Sequence, residues 1–304
     1  MKHRKAGKIV AACAATSARS KPTQQIIMPD IMATIGAIDS SGGAGINQDI
    51  RIAALFGFRL LCCAGALTIQ DSTGLKAVHD APRDAFLAAL EQINQCPDIR
   101  FIKIGALANR EKMECTAAAL VRNAGYRIIL DPVIAPSRGH AFVEKENLDC
   151  LRKIAHKAHF ICPNIPELEI LSGHRISSVQ DALSAAQDLC CETGASILLT
   201  GGHWQHHKAY RQKSGDSSHI LTEAFICKES CHSYRFFAHD WHYTHGTGCT
   251  LATAFMCFLA QGFAPTQAFP KASAFTRKFY DTLNGMASKT EIVYNTICME
   301  HLRS

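Results

Sequence analysis

No stretch of this 304-residue chain holds the roughly 20 consecutive apolar residues that cross a bilayer. Internal repeats and low-complexity segments are also missing, which sets aside solenoids and unstructured scaffolds. The 14 cysteines contain no CxxC pair and no regular framework. Neighbours such as Cys62–Cys63 and Cys190–Cys191 suit reduced, buried thiols rather than a disulfide scaffold or a zinc site. GxxxxGK[ST] does not occur, and GxGxxG fails because Leu251 stands where its last glycine would be. Neither a P-loop nor a dinucleotide fingerprint is available. Acidic residues are absent before Asp30, where Lys2, Arg4, Lys5, Lys8, Arg19 and Lys21 account for the whole net charge of +6. The remainder carries 26 residues of each sign, so no basic face argues for nucleic acid.

The first thirty residues read as a basic tail, disordered or mis-started, with Met28 and Met32 as alternative starts. Their apolar stretch, Ile9 to Ala15, is marginal for an export signal, and a cytoplasmic protein is expected. Residues 31–304 read as one domain. Strand-like runs at Ile31–Ile38, Leu60–Leu67, Ile99–Ile104, Arg127–Leu130, Phe160–Cys162 and Ile197–Leu199 alternate with helical patterns near 46–56, 82–95, 110–123, 145–157, 165–172 and 178–192. That alternation predicts an α/β fold of three layers, a mainly parallel central sheet with helices on both faces. Ile220–Cys227 and His232–Phe237 read as a small late β-hairpin at the sheet edge.

The segment Tyr243-Thr-His-Gly-Thr-Gly-Cys-Thr250 opens a helix, Leu251–Gln261, and no charged residue occurs from Trp241 through Pro270, so that helix can be buried on nearly every side. Gly246 and Gly248 let backbone N–H groups turn toward one point, and the helix adds its positive end, which together make an anion hole. Cys249 lies in the first turn, where these groups are expected to lower its thiol pKa. A buried cysteine beside a glycine turn is an equally good account of the spacing alone. The other strands run into Asp39-Ser-Ser-Gly-Gly-Ala-Gly45, Thr68-Ile-Gln-Asp71, Lys103-Ile-Gly-Ala106, Asp131-Pro132, Pro163-Asn-Ile-Pro-Glu167 and Thr200-Gly-Gly202. In an open parallel sheet the ligand crevice lies outside these ends. His239, His242 and His245 recur near the anion hole, and His203, His206 and His207 flank Trp204, but neither set has the convergence a zinc site needs.

In this order, Asp39–Gly45, Leu67-Thr-Ile-Gln70, Lys103-Ile-Gly105, Leu130-Asp-Pro-Val133, Pro163–Glu167 and His245–Thr250 resemble the hydroxymethylpyrimidine/phosphomethylpyrimidine kinases of the ribokinase-like superfamily, from about Ile31 to Gly285. The resemblance implies a transferase of thiamine biosynthesis that uses ATP and Mg²⁺ to phosphorylate a pyrimidine alcohol and then its monophosphate. It further implies Cys249 as catalytic base with the Gly246 and Gly248 amides around the transferring phosphoryl group. Gln70, Asp39, Gly43 and Ala106 would bind the pyrimidine. Asn164, Thr200, Gly202 and Thr247 would lie at the ATP, and Asp131 and Glu167 at the Mg²⁺. For Asp131 and Glu167 the plain alternatives are a strand-ending Asp-Pro and a capped helix. A homodimer is expected, without nucleic-acid or membrane partners. Thr200 stands where the family usually has Lys, a charge that Arg138, Lys208 or Arg211 could replace, and Ala106 stands for the usual Met. Two other readings follow: a pyridoxal kinase, since Ala106 and Asp71 alter the pocket, and a binding or regulatory relative that transfers phosphate poorly.

Overall fold

The computed structural model describes residues 30–71, 74–121, 125–134, 143, 145–201, 220–237 and 241–286. Nine strands form one sheet: β1 (Ile31–Asp39), β2 (Arg59–Asp71), β3 (Gly74–Asp80), β4 (Phe101–Ile104), β5 (Arg127–Leu130), β6 (Phe160–Ile161), β7 (Ser196–Leu199), β8 (Ile220–Ile226) and β9 (Cys231–Phe237). Their order is β3-β2-β1-β4-β5-β6-β7-β8-β9. The six from β2 to β7 are parallel, while β3 at one edge and the β8–β9 hairpin at the other are antiparallel. The expected late hairpin is therefore present, at the sheet edge.

Side-chain alternation along the strands builds the layers. In β5, Ile128 and Leu130 enter one apolar cluster and Ile129 the other, and in β7 Ile197 and Leu199 part in the same way from Leu198. The first cluster is completed by α2 (Arg83–Gln95), α3 (Arg110–Ala119), α4 (Leu148–Ala155), α5 (Ile165–Ser172) and α6 (Val179–Thr193). The second is completed by α1 (Gly45–Leu55), α7 (Thr247–Ala260) and α8 (Pro265–Met286). This is the three-layer α/β arrangement the alternation predicts.

Local chemistry sets the helix ends. Asn164 and Glu167 form a reciprocal capping box that starts α5, and the Ser178 hydroxyl accepts from Asp181 N to start α6. Several elements differ from the sequence reading. The helix placed at Leu251–Gln261 begins four residues earlier, because Gly246 serves as its N-cap and Thr250 N already donates to Gly246 O at 2.9 Å. The helix placed at 110–123 ends at Ala119, and that at 145–157 is a short 3₁₀ turn, Lys145–Asn147, followed by α4. The 22-residue α8 and the strand β3 were not expected at all. Pro270 lies inside α8, where proline withdraws the N–H that Thr266 O would accept. The Tyr234 hydroxyl of β9 donates to that carbonyl at 3.3 Å instead. The basic tail up to Pro29 and the helix pattern at 291–302 lie outside the described residues.

Candidate active site

The site is organised by α7, whose residues from Cys249 to Cys257 are all buried, so its N-terminus is fixed against the sheet. Gly246 has φ +80°, and a Cβ there would fall into the carbonyl oxygen of Gly43, so only glycine lets the first loop and the α7 entry touch. The entry is clamped from α8. Asn284 accepts from Tyr243 N at 2.9 Å and donates to Tyr243 O at 3.0 Å, and Tyr280 donates its hydroxyl to His245 O at 2.7 Å. Beside this entry lies a cavity of about 330 Å³ at the C-terminal ends of the parallel strands.

Cys249, Gly246, Gly248, Thr247, Gln70, Asp39, Ala106, Asn164, Thr200, Asp131 and Glu167 all line it, so residues spread over 211 positions meet at one place. Gly43 does not: it lies beneath Tyr243 and His245, leaving no room for a side chain. Gly202, Arg138, Lys208 and Arg211, and the histidines at 203, 206, 207 and 239, lie outside the described residues. His245, read from the sequence as an ordinary loop histidine, places Nε2 2.7 Å from Asp39 Oδ2. The Asp39 carboxylate also accepts from Ser41 N, Ser41 Oγ and Ala44 N, so it braces its own loop while facing the cavity. Burial alone would raise its pKa, yet the hydrogen bonds from His245 and Ser41 outweigh that and hold it below the usual value.

The thiol of Cys249 overturns one expectation. Its pKa is raised, not lowered, because full burial disfavours the thiolate more than the buried Lys103 ammonium favours it, and the charges of Asp131 and Asp49 add to the burial. Asp131 is raised for the same first reason, with Lys103 pulling it down and Cys249 hydrogen-bonded to it. Glu167 is pushed up to about 8 by burial and then by Asp131, against hydrogen bonds from the Asn164 and Ile134 backbone. Gln70 donates Nε2 to Thr68 Oγ1 at 2.9 Å, which orients its amide along the cavity wall. Thr200 donates its hydroxyl to Pro163 O at 3.4 Å. Among the described residues no Lys or Arg lines the cavity.

Sequence reading assigned no role to Lys103, Asp49, Thr34 or Thr253, which form a buried polar cluster behind Asp131. The only signal was Lys103 at the end of an otherwise apolar strand.

Comparison with known proteins agrees with this geometry. The chain is 29% identical over 258 residues to the hydroxymethylpyrimidine/phosphomethylpyrimidine kinase of Bacillus subtilis, covering 84% of this chain and 90% of that one. The crystal structure of phosphomethylpyrimidine kinase from Clostridium difficile superposes with a TM-score of 0.67 at 25% identity, over 81% of this chain and 97% of that one. The pyridoxal kinase of Staphylococcus aureus in complex with AMP-PCP shares the fold, with a TM-score of 0.73 at 23% identity over 87% and 91% of the two chains. The sequence model of the phosphomethylpyrimidine kinase family matches residues 39–291, five-sixths of the chain, with all six motifs and the whole cavity inside that range or adjoining it. The chain belongs to the phosphomethylpyrimidine kinase family.

Proposed function

We propose that this protein transfers the γ-phosphoryl group of ATP to the hydroxymethyl oxygen of 4-amino-5-hydroxymethyl-2-methylpyrimidine, and then phosphorylates the monophosphate to the pyrophosphate, as a kinase of thiamine biosynthesis. The observation that carries this is Cys249 at the first turn of α7, facing the same cavity as the Gln70 amide. An amide offers the donor and acceptor that match an aminopyrimidine edge. Ala37, Ala106, Val133 and Ile134 supply apolar wall for the ring. The backbone from Gly246 to Cys249 supplies N–H groups and the positive helix end for the charge on the transferring group.

Cys249 acts as the base for the substrate hydroxyl. Phosphoryl transfer runs through a loose transition state in which charge spreads over the equatorial oxygens, so positioning matters more than a thiolate formed in advance. The Asp131 carboxyl, beside the first turn of α7, is the group placed to take the thiol's proton as the substrate's proton arrives. Asn164, Thr200, Gly202 and Thr247 are assigned to the nucleotide. The Staphylococcus aureus neighbour has been solved with ADP and with AMP-PCP, which supports a nucleotide as the phosphoryl donor here.

A Mg²⁺ ion fits the residues present. The Asp131 and Glu167 carboxyls both line the cavity and offer the hard oxygen donors this ion takes, Asp131 with Oδ2 turned to the Lys103 ammonium at 3.4 Å and Oδ1 toward the first turn of α7. Among the described residues no three His, Cys, Asp or Glu side chains converge for a metal, so Asp131 and Glu167 would hold it chiefly through water and phosphate oxygens. When bound, it neutralises charge on the phosphate oxygens. A cytoplasmic homodimer with residues 31–304 as its domain completes the reading; among the described residues no helix is long and apolar enough to cross a membrane.

Pyridoxal is the second candidate substrate, favoured by the small Ala106 on the cavity wall. Cys249→Ala is the test. Loss of turnover with ligand binding retained supports both the kinase and its base. A fully active variant excludes Cys249 as base, and a parent protein that binds without turnover is the binding relative.

A further inference from the structure

Below the cavity lies a charged cluster that the reaction as described leaves unused. Lys103 leaves β4 in register with Thr34 of β1, on the side covered by α1 and α7, and is fully buried. Its ammonium donates to Asp49 Oδ1 at 2.7 Å and stands 3.4 Å from Asp131 Oδ2. Asp49 comes from α1 and is itself held by two hydroxyls: Thr34 donates to Oδ2 at 2.6 Å and Thr253 to Oδ1 at 2.8 Å. Both Asp49 oxygens are thus occupied, and they fix one side of the ammonium. The other side faces Asp131 Oδ2, the oxygen without a hydrogen-bond partner among the described residues. Asp131 Oδ1 faces the first turn of α7, 3.6 Å from where a Cβ on Gly248 would stand.

Stability does not account for such a cluster, because apolar side chains of similar volume often replace a buried ion pair at no loss. Its position does. Two strands, two helices and the loop after β5 meet around this ammonium and the Asp49 carboxylate that holds it, directly behind the cavity wall.

We propose that Lys103 is a positioning residue: clamped by Asp49, it holds the Asp131 carboxylate at the cavity wall beside the α7 first turn, oriented for the divalent cation that accompanies the nucleotide. The inference rests on the phosphotransferase reading above. With no Lys or Arg among the described cavity-lining residues, the fixed positive charge behind Asp131 comes from Lys103. Asp49 sets where that charge sits, and Thr34 and Thr253 set Asp49.

The test compares the full-length parent with Lys103→Met, Asp49→Asn and the double variant, which removes the Lys103–Asp49 pair together and leaves Asp131, which can take a proton, as the one acid of the cluster without its ammonium. Three quantities are read: thermal melting, kcat and KM separately, and the effect of Mg²⁺ on ADP binding by calorimetry, which needs no turnover. The double variant is expected to melt within a few degrees of the parent, with the pyrimidine KM held within about threefold and kcat lowered about 100-fold. Its ADP binding loses most of the gain that Mg²⁺ gives the parent. Asp49→Asn, whose amide oxygen still accepts from Lys103, keeps part of both, and carries the comparison if the double variant does not fold. A folded double variant, or a folded Asp49→Asn, with parental kcat and a parental Mg²⁺ effect makes the cluster structural and overturns the proposal. If the parent turns over no pyrimidine yet its Mg²⁺-dependent ADP binding is lost in the variants, the substrate reading fails and the role of Lys103 stands.

Discussion

Gly246→Ala tests the contact between the first loop and the α7 entry. Two effects add. An alanine held at φ +80° costs roughly 1 to 2 kcal/mol as a left-handed residue. Its Cβ also falls into the Gly43 carbonyl oxygen, which is backbone and cannot rotate aside, so the two loops must part by roughly 1 Å. That separation pulls on the His245–Asp39 hydrogen bond and on the Tyr280 bond to His245 O, and it moves the amides around the phosphoryl group. A total loss of roughly 2 to 4 kcal/mol is expected, lowering the melting temperature by about 5 to 12 °C. Displacement of this size lowers kcat by about 100-fold. Gly262→Ala is the control: φ is +90° there too, but nothing lies within 4 Å of the new Cβ. It bears the conformational cost alone and leaves turnover within about twofold. Thermal melting and ADP release measured on both variants decide the matter. Equal losses at the two positions would refute the argument that loop contact, rather than backbone preference, fixes Gly246.

Glu167→Gln is expected to change how stability depends on pH. The folded-state carboxyl titrates at about 8 against an ordinary 4.5, so the folded protein binds more protons between these values and the group's stabilising effect is present at low pH and lost as pH rises toward 8. The loss is roughly 4 kcal/mol over that window, and glutamine removes it while still accepting from Asn164 N. Urea unfolding at pH 5, 6.5 and 8 without Mg²⁺ measures it, and an unchanged slope in the variant counts against the assignment. Gln70→Ala should raise the KM for the pyrimidine about tenfold with kcat nearly constant, since it removes ground-state binding. A fall in kcat alone would contradict that role. Asp39→Asn should weaken the pairing with His245 and loosen the loop at Ser41 and Ala44, lowering the melting temperature measurably at pH 7 and progressively less as the pH falls below the ordinary carboxylate range and the parent's Asp39 takes up its proton. A loss of equal size at high and low pH would exclude the carboxylate's charge as its cause.

Strands such as β5 and β7 were legible because their apolar residues are short, unbroken runs that the sheet buries on both faces. So was the gathering of loops, since parallel topology sends every strand's C-terminal end to one edge. What failed depended on partners distant in sequence. Gly74–Asp80 alternates only over Leu75-Lys-Ala77, too short a pattern to stand out, and it is a strand because β2 offers it an edge from Ala66 to Asp71. Pro270 reads as a helix stop until Tyr234 of β9 satisfies the carbonyl it frees. The helix end at Cys249 is a local feature and visible, whereas the burial that raises its pKa comes from β4, β5 and α1 packed around it. Lys103 looked like any strand-end lysine, because its clamp, Asp49, lies 54 residues earlier.

The most direct test of the account is ATP consumption by the purified protein with Mg²⁺, offering hydroxymethylpyrimidine, its monophosphate and pyridoxal in parallel and resolving products by mass. Turnover of the first two, to monophosphate and pyrophosphate, is the predicted result. Turnover of pyridoxal alone, or of none while ligand still binds, would contradict it.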